Sequence, residues 1–254
     1  MGEPIFAPLE AAVSKIPPLK TRFESVSQDV GLPLIGSLAW QDLRAGWGGD
    51  GPVSQVTIKL SVAVDHIFAW HCLATPPKAM LPAQAHLTLL RPALELAVQS
   101  RWLLDPSVDS ATRIGRALWQ RLDNLEWTRK VEDEAKNVPG SGPVEKMQAL
   151  RDKAASSGVA PTQMVDTVSL LKRFPQQSPS YDVTAWWYTS GVLHGQAWAA
   201  LLSENEVVRA GASMSTYRTS ANEPVAAALT ELALRHLGRA IEDLHEYLEP
   251  KPGR

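Results

Sequence analysis

The stretch that decides the fold runs from Tyr181 to Leu202, YDVTAWWYTSGVLHGQAWAALL, and from Val183 onward it contains no Asp, Glu, Lys or Arg. A surface helix normally carries a charged face, whereas a helix without one lies inside a bundle or in a membrane. The stretch is long enough to cross a bilayer. Its hydroxyl, amide and imidazole groups would each need a polar partner in lipid, so it is better explained as the buried central helix of an all-α helical bundle.

Length and composition are those of an ordinary globular protein. The chain has 254 residues, of which 44% are hydrophobic and 20% charged, so it can bury one large core or two small ones. A net charge of −2 provides no overall basic field that would attract nucleic acid. Cys72 is the single cysteine, which excludes an intramolecular disulfide and a cysteine-rich zinc site and indicates a cytoplasmic protein. The sequence predicts no cofactor, no metal ion and no signal peptide.

The remaining pattern divides the chain at about residue 52. Five prolines between residues 4 and 33 predict that residues 1–52 are an irregular strap, with one short helix near 19–30. Residues 53–254 are predicted to form a single helical-bundle domain, with a small β-hairpin near 205–219. Apolar periodicity and proline positions predict its other helices at 53–74, 82–104, 111–135, 144–155, 163–174 and 225–248.

Two polar side chains stand in apolar surroundings. His194 lies in the uncharged stretch with Ser190 one turn before it, and Glu95 lies in an apolar helix. Burying either group alone would cost several kcal/mol, so we expect the two helices to pack side by side with an arginine near the contact. Gly191 and Gly195 share a face and would allow this close approach. His194 is then either a hydrogen-bonded core histidine or a general base in a pocket beside Ser190.

Three stretches together resemble a group of uncharacterised helical proteins of high-GC bacteria. They are LLRPALELAVQSRWLLDP at 89–106, ATRIGRAL at 111–118 and YTSGVLHGQAW at 188–198. The group is distantly similar to HEPN-type helical bundles, which include RNA-cleaving toxins and abortive-infection proteins. The resemblance implies six polar site positions, namely Glu95, Arg101, Arg113, Arg116, Ser190 and His194.

The sequence departs from the motif that marks HEPN nucleases. In those enzymes an arginine is followed four to six residues later by a histidine, and no arginine stands at that spacing before His194. Arg239 and His245 have the spacing, on the last helix, but alanine follows Arg239 where active families tend to have a polar residue. Catalysis by this pair is therefore the less favoured hypothesis.

The favoured prediction is a non-catalytic, HEPN-like protein that binds a partner or ligand, in defence or regulation. One alternative is a metal-independent ribonuclease, in which a histidine acts as base and an arginine stabilises the developing charge. Another is a small-molecule enzyme or binder with a pocket at Glu95 and His194. An unknown protein or a small molecule is the expected partner, RNA and a second copy of the chain are further candidates, and no membrane contact is expected.

Overall fold

The computed structural model describes residues 7–31, 33–75, 84–135, 142–196, 199, 205–209, 215–219 and 222–250. Within them the fold is all-α, as predicted, apart from one hairpin. The helices are α1 (Ala7–Val13), α2 (Ile16–Gln28), α3 (Leu38–Asp42), α4 (Pro52–Ala74), α5 (Ala85–Leu104), α6 (Ser110–Ala135), α7 (Pro143–Ser157), α8 (Thr167–Arg173), α9 (Pro179–Leu193) and α10 (Glu223–Leu248).

The hairpin consists of β1 (Asn205–Arg209) and β2 (Ser215–Thr219). The two strands are antiparallel, and Asn205 is opposite Thr219 while Val207 is opposite Tyr217. This confirms the small hairpin predicted near 205–219.

The chain forms two compact units, and they are not separated by a boundary near residue 52. Unit 1 comprises Met1–Ser25, Leu60–Gln99 and Thr167–Ile241. Unit 2 comprises Val26–Lys59, Ser100–Asp166 and Glu242–Arg254. Residues 1–52 therefore contribute to both units.

The irregular strap predicted for residues 1–52 is wrong for most of its described part, which contains α1, α2 and α3. Pro8 lies in the first turn of α1, and Pro17 and Pro18 lie in the first turn of α2. The first N–H groups of a helix have no partner within it, so a proline there removes no helical hydrogen bond. The prolines therefore begin these helices instead of breaking them.

The core of unit 1 is built on large aliphatic and aromatic side chains. Trp70 of α4 is fully buried, and its Nε1 donates a hydrogen bond to Thr230 Oγ1 of α10 at 3.0 Å. The helix α8 packs against α9. Fully buried members of this core include Leu9, Ile16, Leu60, Leu90, Leu171 and Leu237.

The core of unit 2 forms where α6 packs against α7. Gly115 of α6 permits a close backbone approach there: Thr162 N donates to Gly115 O at 2.9 Å, and a Cβ on Gly115 would lie only 2.4 Å from Ala160 O. The buried cluster comprises Trp47, Ile114, Leu118, Leu125, Met147, Leu150 and Ala154.

Both ends of α9 follow from local sequence signals. Ser178 caps the helix by accepting from Tyr181 N at 3.2 Å. At the other end Gly195 takes a φ of 64°, and the backbone N–H of Gln196 donates to Gly191 O at 2.8 Å. This is the glycine-terminated Schellman arrangement, so the helix ends at Leu193 and not near 202. Positions 197, 198 and 200–202 of the predicted helix lie outside the described residues.

The burial predicted for the 183–202 helix is wrong over most of its described part, although Ala199 is fully buried. Only five of the 15 residues of α9 are buried, namely Asp182, Val183, Ala185, Thr189 and Gly191. Thr184, Trp187 and Leu193 are exposed. The lack of charge along the stretch therefore does not come from burial on all sides within one chain.

One helix of the described chain, α4, is long and apolar enough by length and composition to cross a membrane. One third of its most apolar window is buried within the protein. A core helix passes the same test, so α4 is weak evidence for a membrane span. With 15 residues, α9 is shorter than the roughly 20 that a spanning helix needs.

Candidate functional site

The six polar positions that the resemblance implies do not belong to one compact unit. Each unit contains three of them: Glu95, Ser190 and His194 fall in unit 1, whereas Arg101, Arg113 and Arg116 fall in unit 2.

Glu95 has partners on its own helix and on α8. Its carboxylate lies 3.6 Å from Arg91 Nη2 and accepts hydrogen bonds from Thr167 Oγ1 at 3.2 Å and Gln99 Nε2 at 3.4 Å. Its side chain is 27% exposed. These neighbours compensate the carboxylate, and α9 contacts the group through Trp186, whose ring centre lies 5.5 Å from Arg91 Cζ.

The predicted network between Glu95 and His194 is not formed. His194 is the exposed C-cap of α9, and Ser190 one turn earlier is half-buried. Across the described residues, no hydrogen bond or ion pair joins His194 to Glu95. The helix end at Gly195 explains the difference, because it places His194 at the tip of α9 instead of in its middle.

The three of these arginines that fall in unit 2 are paired with acidic side chains; Arg113 and Arg116 are buried, and the side chain of Arg101 is 12% exposed. Removing one partner of a buried pair leaves an uncompensated charge, so these pairs hold the local structure together. The pairs are Arg101 Nε with Asp243 Oδ2 at 2.9 Å, Arg113 Nη2 with Asp42 Oδ1 at 3.5 Å, and Arg116 Nη1 with Asp105 Oδ2 at 3.7 Å.

Asp42 is the centre of the most extensive of these networks. Tyr247 Oη donates to Asp42 Oδ2, Ser110 Oγ donates to Asp42 Oδ1, and Arg113 Nη1 donates to Val108 O at 2.6 Å. Burial, followed by the charge of Asp42 and the hydrogen bond to it, raises the pKa of Tyr247. The phenol therefore stays protonated and donates, so the network connects α3, α6 and the end of α10.

A second buried pair, which the sequence pattern did not predict, joins α9 to α10. Asp182 and His236 are both fully buried, and Asp182 Oδ2 lies 3.0 Å from His236 Nε2. The same oxygen accepts from Gln176 N at 2.6 Å. Burial alone would raise the pKa of Asp182, but the hydrogen bonds from His236 and Gln176 and the charge of His236 outweigh it and lower that pKa. The pair resembles a catalytic dyad in composition, but it is not accessible from solvent.

The sequence did contain a signal for this pair. Asp182 is the only charged residue of α9, and it stands immediately before the uncharged stretch. A lone carboxylate beside an apolar segment needs a compensating partner. His236, in the apolar run of α10, lies 54 residues away, and nothing in the sequence pattern indicates which basic group it would be.

The exposed side of α9 is aromatic and uncharged. Thr184 lies three residues after Tyr181, and Trp187 and Tyr188 lie three and four residues after Thr184, so the four residues share one side of the helix. We call these four residues the α9 face. Thr184 is exposed, both tyrosines are half-buried, and Trp187 is 51% exposed.

A shallow groove in unit 1 runs beside the α9 face, along α10. Its volume is about 270 Å³, and none of the described residues that line it is charged. We call it the tyrosine groove, and it is lined by Tyr181, Thr184, Ala185, Tyr188, Val225, Ala228 and Leu229. An apolar groove with tyrosines at its edge is the kind of surface that proteins use to contact one another.

A larger concavity in unit 2 has a volume of about 510 Å³, within the range of small-molecule pockets. Among its described lining residues, Ser54 and Thr57 alone have polar side chains, and the Thr57 hydroxyl already donates to Val53 O at 2.9 Å. Ligand sites usually contain several convergent polar groups that orient the ligand. This concavity lacks them and is the weaker candidate.

Arg239 and His245 lie on different sides of α10. Six residues along a helix correspond to directions about 120° apart around its axis. Arg239 is exposed and His245 is half-buried.

In the part of the chain that the structure describes, no three His, Cys, Asp or Glu side chains lie close enough to hold a metal ion.

Fold and site together define an all-α protein with buried ion-pair networks and an open, uncharged aromatic face. No protein-family model, curated protein or solved structure matches the chain.

Proposed function

We propose that the protein is a non-catalytic binding protein and that the α9 face is its contact surface for another protein. The observation that carries the proposal is that α9 has an open side without a single charged residue. A helix side that faces water in the working protein normally carries charges, whereas one covered by a partner does not need them.

Size and composition favour a protein over a small molecule as the partner. The tyrosine groove, at about 270 Å³, is smaller than the roughly 300–1,000 Å³ typical of small-molecule sites. Tyrosine and tryptophan are enriched at the centres of protein interfaces, where they contribute most of the binding energy. Trp187 and the two tyrosines of the α9 face supply such a centre.

The burial of the ionisable groups supports a non-catalytic role. A general base must come within hydrogen-bond distance of its substrate, directly or through one water. Asp182, His236 and Arg113 are buried in pairs that compensate their charges. The exposed His194 has no acidic or basic group within ion-pair distance among the described residues. A distant relation to HEPN bundles, a cytoplasmic location and a role in defence or regulation remain part of this proposal.

Photo-cross-linking tests the proposal. A photoreactive benzophenone amino acid in place of Thr184 stands on the α9 face, and the same amino acid in place of Trp127 stands on an exposed site of α6 that is 59% accessible. Irradiation of cells that produce the protein is expected to give a discrete cross-linked protein from position 184 only. Equal products from both positions, or none from either, would contradict the proposal.

A further inference from the structure

We propose that the partner on the α9 face is a second copy of this chain, so that two copies pair through α9 around a two-fold axis. The proposal rests on the function proposed above and names its partner.

The charge pattern of the α9 face suits self-association. A two-fold interface brings the same patch of both copies together, so any charge on it meets its own equivalent. Like charges placed opposite each other cost several kcal/mol. Tyr181, Thr184, Trp187 and Tyr188 carry no charge, although 20% of the residues in the chain do. Two α9 faces therefore come together without repulsion.

The shape of the surface is also self-complementary. Trp187 of α9 is 51% exposed. The tyrosine groove is lined by other residues of α9 and by residues of α10. A cavity of about 150 Å³ accommodates a benzene molecule, so a groove of about 270 Å³ accommodates an indole ring. In a two-fold pair each Trp187 can enter the groove of the other copy, because a contact from one copy is repeated by its partner.

Pairing also accounts for the uncharged stretch itself. An uncharged helix is expected to be buried, yet one chain buries only five of the 15 residues of α9. A second copy over Trp187, Thr184 and the tyrosines covers the side that the chain itself leaves open.

Sedimentation velocity and light scattering on the full-length protein test this inference. The wild type is expected to show a concentration-dependent species of twice the 27.7 kDa chain mass. Trp187→Glu places a charge at the centre of the contact and is expected to raise the dimer dissociation constant about thirtyfold or more, as for an interfacial hot spot. The matched control is Trp127→Glu, which changes an equally exposed tryptophan of α6 and leaves the dimer intact.

A second variant and a folding check make the outcomes decisive. Thr184→Lys places like charges on the two faces and is expected to dissociate the dimer as well, and circular dichroism confirms that each variant keeps its helices. A wild type that is monomeric at all concentrations, or a dimer that persists in both folded variants, overturns the inference. A monomer that still cross-links through position 184 to a different protein overturns the self-association alone, and a monomer that does not cross-link overturns the proposed function too.

Discussion

Replacing His236 by alanine is expected to lower the free energy of unfolding by about 3–5 kcal/mol. His236 and Asp182 are fully buried, and their side chains lie 3.0 Å apart. Without the imidazole, the Asp182 carboxylate keeps the hydrogen bond from Gln176 N but loses the one buried basic neighbour that the described residues give it. An uncompensated buried charge is more costly than the contact it replaces, and the lost ring leaves a cavity besides.

Urea unfolding followed by circular dichroism measures the effect. His245→Ala is the matched control, because this half-buried histidine lies on the same helix nine residues later and has no buried acidic partner in the described structure. We expect the control to change stability by less than about 1 kcal/mol. Similar losses of unfolding free energy in His236→Ala and His245→Ala would show that the pair with Asp182 does not stabilise the protein.

Replacing Arg113 by alanine is the second large effect, again about 3–5 kcal/mol of unfolding free energy. The guanidinium is only 2% exposed, lies 3.5 Å from Asp42 and donates to Val108 O. Its removal leaves Asp42 buried, and the donors that remain to it among the described residues, Tyr247 and Ser110, are neutral. The variant is therefore expected to destabilise unit 2 without affecting the α9 face.

Thermal and urea unfolding of Arg113→Ala should be compared with Arg129→Ala. Arg129 also forms ion pairs, with Glu126 at 2.8 Å and Asp133 at 2.6 Å, but it is 37% exposed. Exposed pairs contribute at most about 1 kcal/mol, so this variant is expected to be nearly neutral. Equal losses in the two variants would mean that burial does not set the strength of the Asp42 network.

The helices of the chain were largely predictable from apolar periodicity and proline positions. The helix predicted at 53–74 is α4, and the one predicted at 225–248 lies within α10. Among the N-terminal helices, the one predicted near 19–30 corresponds to α2, whereas α1 and α3 were not predicted. The start of α2 was placed too late and α1 was missed, because a proline that begins a helix and one that breaks it are the same residue in different positions.

The burial of α9 could not be predicted from the chain alone. The absence of charge indicates that a helix is covered, but it does not distinguish cover by the same chain from cover by another. The end of the helix was predictable, because a glycine commonly ends a helix by adopting the left-handed conformation. Gly195 does so, with a φ of 64°. The two glycines were instead interpreted as a packing face, which placed His194 inside the protein.

The partners of the polar residues depend on tertiary structure. Glu95 was predicted to need compensation and has it, from Arg91 on the same helix and Thr167 on α8. Asp182 needed the same compensation and obtains it from His236, 54 residues later. Residue patterns show that a buried charge must be compensated, whereas the fold decides by which group.

The central claim is that the α9 face is covered by a partner in the working protein. Hydroxyl-radical footprinting read residue by residue tests it most directly, by comparing Trp187 with Trp127 in the cell and in dilute purified protein. Both side chains are about half exposed in the single chain, at 51% and 59%. We predict that oxidation of Trp187 is strongly reduced in the cell while that of Trp127 is unchanged. Equal reactivity of the two tryptophans in both conditions would contradict the account.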